Sequence, residues 1–148
     1  MPFHCLTLRW YAAAAAFLLL SAGAQAAGPA VSGAWFRAMP AHLPAAGYFD
    51  LHNGSSKTIS LVGASSPACG MLMLHMSSRS SGMEHMMEVA RVDVPPGGTV
   101  GFAPGGYHLM CMQPTPMLRI GGHVPVTLQF ADGTRLSAEF AVRRAAGH

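Results

Sequence analysis

The feature that most constrains the fold is a succession of short alternating apolar runs, cut at close intervals by glycine and proline. From residue 27 onward no stretch sustains the 3.6-residue period of an amphipathic helix. The alternation predicts strands over 31–38, 47–53, 58–65, 71–76, 86–94, 98–102, 107–112, 124–130 and 135–142. Between them stand Asn53-Gly54, Pro95-Pro96-Gly97-Gly98, Pro104-Gly105-Gly106 and Asp132-Gly133. The last of these is a two-residue hairpin signal, and the Ser/Gly-rich stretch 77–82 reads as a loop. Many short strands with turn residues between them imply an all-β chain, a sandwich or barrel built as a single domain.

The first 26 residues read differently. Arg9 precedes an apolar run at 11–22 that is short for a membrane span, and Ala24-Gln25-Ala26 is a small-x-small cleavage pattern. The expectation is a signal peptide over 1–26, a β-domain over 27–142 and a frayed tail over 143–148. The protein would then be exported to the periplasm, with no membrane span in the mature form. Cys5 would leave with the peptide. Cys69 and Cys111 would remain where disulfides form readily. Nine Lys/Arg and six Asp/Glu are scattered along the chain, which calls for neither nucleic acid nor a membrane surface as partner.

The placement of soft donors carries the chemistry. Met71, Met73, Met76, Met83, Met86 and Met87 crowd into one window with His75 and His85, and His108, Met110 and Met112 follow. Thioether sulfur is soft and has no proton to lose, and neutral imidazole is borderline. Together they suit Cu(I) far better than calcium, magnesium or ferric iron, while zinc gains little from methionine. Such a site keeps the single charge of the metal. On a strand His108 and Met110 share a face. Read blandly, Met71, Met73, Met112 and Met117 are packing residues, and His42, His52, His123 and His148 are surface histidines. Glu84 and Glu88 read as solvated.

His75, ten residues, Met86, twenty-one residues, His108, one residue, Met110 reproduces the H-x10-M-x21-H-x-M motif. In this the chain resembles the periplasmic PCu(A)C copper chaperones. Trp35-Phe36-Arg37-Ala38, Ala46-Gly47-Tyr48, 61–67, 104–110 and 124–128 resemble the same family, so the likeness spans nearly the whole of 27–142. The resemblance implies a cupredoxin-like Greek-key sandwich binding Cu(I) through His75, Met86, His108 and Met110. It also implies delivery of copper towards the binuclear centre of a haem-copper oxidase, to a copper-receiving oxidase subunit directly or through a thiol copper chaperone. The mature protein is expected to be a monomer. The chain departs from the family pattern at Met76, where an acidic residue is common, at His85 beside Met86, and at the two cysteines. Met76, Met83, His85 or Met87 could therefore substitute for one of the four or add a second site, with Met76, His85 and Met87 the additional candidate ligands.

Cys69 and Cys111 admit two readings, a structural disulfide or thiolate donors. Cys111 alternates with Met110 and Met112, and that parity favours the disulfide. The alternatives to a chaperone are a copper-buffering or resistance protein and a blue-copper electron-transfer protein using Cys69 or Cys111. Blue-copper sites need two His, a Cys thiolate and a weak axial Met, yet no His follows Cys111 until His123. No nucleophile elbow, phosphate-binding glycine loop or CxxC is present, so the chain does not read as an enzyme.

Overall fold

The computed structural model of the protein describes residues 27–40 and 42–145. The expected signal peptide and the end of the tail lie outside the described residues. Ten strands follow one another: β1 Pro29–Ala38, β2 Ala45–Asn53, β3 Ile59–Ser65, β4 Cys69–Ser80, β5 Met83–Glu88, β6 Val92–Val94, β7 Thr99–Phe102, β8 Tyr107–Pro114, β9 His123–Phe130 and β10 Arg135–Arg144. The fold is all-β and cupredoxin-like, as the alternation and the family resemblance predict.

All ten strands join one hydrogen-bonded ladder in the order β5-β4-β8-β7-β2-β1-β10-β9-β3-β6. β5 and β6 are its two ends, yet only residues 89–91 separate them in the chain. An extended chain covers about 3.3–3.6 Å per residue, so the two edges of the sheet lie close together. The ladder therefore curls over on itself. Its concave side closes on one core that includes Phe36, Leu51, Leu61, Leu74, Leu109, Cys111, Val126, Leu128 and Phe140. Gly47 makes one of the tight contacts possible: a Cβ there would meet the Phe36 ring at 2.7 Å. Asn53, fully buried, donates from its amide to the carbonyls of Lys57, Val94 and Pro95, fastening the end of β2 to the loop before β3 and to the end of β6.

Four expectations are corrected. The strand expected over 86–94 is two strands, β5 paired with β4 and β6 paired with β3 at the far edge. Apolar periodicity runs through Val89 without marking that the chain changes edges there. The loop expected over 77–82 is mostly strand: Ser77–Ser80 pair with Met83–Met86 across Ser81 and Gly82, whose φ of 53° and 77° suit a type I′ turn. Serine-rich composition concealed a hairpin whose pairing comes from its partner strand. The tail begins later than expected, because Arg143 and Arg144 pair in parallel with Arg37 and Ala38. Finally, the two-residue hairpin expected at Asp132-Gly133 is a longer connection: β9 and β10 are joined across residues 131–134, with the Thr134 amide donating to the Asp132 carboxylate and Gly133 at φ 87°.

Cys69 and Cys111 are joined by a disulfide, with Cα atoms 5.4 Å apart and a sequence separation of 42. The bond ties the start of β4 to β8 on the core side, and Cys111 is completely buried.

Candidate metal centre

The register of β4 on β8 decides which side chains meet. His75 is paired with His108, and Met73 with Met110. Alternate residues of a strand share a face, so these four stand on the outer side of the sheet, while Leu72, Leu74, Leu109 and Cys111 fill the core side. β5 adds Met86 to the outer side, opposite Ser77 and one step along from His75. The four residues of the spaced motif thus share one face. The His75 and His108 rings stand edge to face, centroids 5.7 Å apart and planes at 67°. Beside them opens a cleft of about 320 Å³ whose walls include Met86, His108, Met110, Arg37, Tyr48 and Glu84. His75 packs against the His108 ring rather than forming part of the wall.

The hydrogen bonding leaves this pair ready for a ligand. His108 Nδ1 donates to the Gly106 carbonyl at 3.2 Å, which leaves the Nε2 lone pair free. That Nε2 and both ring nitrogens of His75 are buried with no hydrogen-bond partner in the protein. A buried polar atom left unpaired costs about 1–3 kcal/mol, and such atoms call for an explanation. A metal ion between the rings supplies one. Among the described residues no three His, Cys, Asp or Glu converge on one point. Two imidazoles are all the nitrogen donors here, so the remaining donors would be thioethers.

Burial holds His108 below its ordinary pKa. The Gly106 hydrogen bond opposes that shift, and His75 and Arg37 reinforce it. The neutral imidazole, the form that binds metal, is therefore favoured. In the unfolded chain His108 titrates at ~6.5; folded, it titrates lower. Between those values the unfolded state binds more protons, so stability falls as pH drops through the unfolded value and the loss is complete below the folded one. The urea midpoint of the metal-free protein should fall between pH 7 and pH 5, and H108Q should flatten that dependence. An identical slope in H108Q would refute the assignment.

Arg37, Tyr48 and Glu84 on the cleft were not among the predicted site residues. The Arg37 guanidinium lies over the Tyr48 ring, 5.6 Å from its centroid. The available signal was parity: Arg37 follows the fully buried Phe36 and must face outward. Glu84 is exposed, as expected of a solvated residue, and also borders the cleft. Met71 and Met117, read as packing residues, are 57% and 45% exposed. His42 and His123 are exposed, and the exposed His52 is 2.9 Å from the Thr99 hydroxyl. Met76, His85 and Met87 do not join His75. They stand on the opposite side of the β4–β5 hairpin, where Met76 is paired with Met87. The cysteines are on the core side and bonded to each other, so neither offers a thiolate to the cleft.

Known proteins resemble this chain in sequence and in shape. The model of the LpqE-like family, described as a lipoprotein family, matches residues 29–142. A protein of Leifsonia xyli subsp. xyli that carries lipoprotein in its name, Lxx21020, is 40% identical over 113 residues, 76% of this chain and 68% of its own. The solution structure of CuI-DR1885 from Deinococcus radiodurans is 35% identical, with a TM-score of 0.68 over 84% of this chain and 85% of its own. The copper-bound PCuAC domain from PmoF2 is 20% identical, with a TM-score of 0.67 over 82% of this chain and 97% of its own, a likeness of fold. On these matches, the chain belongs to the LpqE-like family.

Proposed function

We propose that the protein is an envelope copper chaperone that carries Cu(I) on His75, Met86, His108 and Met110. The observation behind this reading is the His75–His108 pair, three of whose ring nitrogens are buried and unpartnered, on the same face as Met86 and Met110. Two neutral nitrogens and two thioethers form a soft set that leaves the single charge of the ion in place. Two relatives are described as copper-bound, one of them as a Cu(I) form. The lipoprotein label of the family agrees with an exported protein, and among the described residues no helix is long and apolar enough to cross a membrane.

The role is carriage rather than catalysis. Met86 is 54% exposed on the last strand of the sheet, so one donor can exchange with a partner's ligand while three stay in place. Delivery towards the binuclear centre of a haem-copper oxidase, through an oxidase subunit or a thiol chaperone, draws its support from the family resemblance. A buffering protein would use the same donors, and transfer separates the two roles: the loaded chaperone should pass its ion to a copper-free thiol chaperone within one mixing experiment. The blue-copper alternative requires a thiolate, and the disulfide consumes both candidates.

X-ray absorption of the protein loaded with one equivalent of Cu(I) should show two nitrogen and two sulfur neighbours. A short copper–thiolate distance, or nitrogen and oxygen neighbours alone, would overturn the reading.

A further inference from the structure

The β4–β5 hairpin carries donors on both sides. On the side facing away from His75, Met76 is opposite Met87, Ser78 opposite His85, and Ser80 opposite Met83. Directly opposed residues have Cβ atoms about 4.5–5.5 Å apart, and diagonal neighbours about 7–8 Å. The long side chains of Met76, Met87 and His85 can therefore reach a common point. The type I′ turn at Ser81-Gly82 fixes this pairing.

The usual explanation for clustered methionines fails on this side. Nearer the body of the protein the same side of β4 is core, with Leu72 and Leu74 buried. Beyond Leu74 the core runs out. Met83 and Met87 are 63% and 49% exposed, and His85 is exposed as well. Exposed thioethers among serines fill no gap. The acidic residues of β5 are absent from this side: Glu84 and Glu88 alternate with His85 and Met87 and share the face of Met86. What remains is one imidazole and two or three thioethers with no carboxylate among them, a set that selects a soft monovalent ion over calcium, magnesium or zinc.

We propose that Met76, His85 and Met87 form a second Cu(I) site, three-coordinate through one nitrogen and two sulfurs, with Met83 at its outer margin. The sheet backbone lies between it and the His75–His108 pair, so the two sites share no donor and fill independently.

The test is an anaerobic Cu(I) titration of the exported protein against a chromophoric Cu(I) chelator, with far-UV circular dichroism to confirm the fold. The parent should take two equivalents. H85A/M87A, which alters only exposed residues, should lose one of them. H75A/H108A should lose the other and keep the hairpin equivalent, and the four-residue variant should bind none. A parent that saturates at one equivalent, removed by H75A/H108A, would sink the hairpin site and leave the first standing. Two equivalents retained in H85A/M87A, or one retained in the four-residue variant, would also overturn it.

Discussion

Replacing His75 and His108 together by alanine is expected to lower the Cu(I) affinity of the site they are proposed to form by at least about 1,000-fold. Loss of a residue that merely orients a metal ligand costs about 10–100-fold, and this variant removes two donors outright. The fold should survive. Both rings stand on the outer side of the sheet, away from Leu74 and Leu109, and three of their four nitrogens lack partners. Alanine gives up ring packing but also removes those unpaired atoms, so the two effects oppose each other. Chelator competition reads the affinity, and a denaturant midpoint near that of the parent would confirm that the fold is kept. Undiminished affinity would show that the copper sits elsewhere.

Removing the disulfide should do the reverse. Cys69 and Cys111 close a loop of 42 residues, which in the chain-entropy view contributes roughly 4 kcal/mol; native disulfides removed from small exported domains cost about 2–5 kcal/mol. C69A/C111A should therefore unfold at markedly lower denaturant, while its Cu(I) affinity stays within a few-fold of the parent. The sulfurs are on the core side and the proposed copper donors on the other, so the bridge would hold β4 to β8 without touching the ion. An affinity loss comparable to that of H75A/H108A would mean that the cysteines are donors after all.

The sequence was most informative where chemistry and spacing coincide. The H-x10-M-x21-H-x-M pattern named four residues, and the register of β4, β5 and β8 puts those four on one face. Local parity also separated Cys111 from Met110. The sequence was least informative where pairing comes from distant strands. Val89 and Ala90 are apolar like the strand before them, yet the chain crosses over 89–91 from one edge of the sheet to the other. Ser77–Ser80 have the composition of a loop and become strand because Met83–Met86 lie alongside. Arg37 and Tyr48 are brought to the cleft by β1–β2–β8 pairing, which no local pattern specifies. The same blindness to register hid the division of Met76, His85 and Met87 from the first site.

The terminal place of β5 in the ladder has a kinetic consequence. A strand held by a single neighbour is where a sheet frays at least cost, through local openings that leave the rest intact. Each such opening of β5 would withdraw Met86 and leave the ion on β4 and β8 alone. The residence time of copper would then follow the opening rate of one hairpin rather than the strength of four bonds. A partner able to hold β5 open would hasten release without competing for the metal.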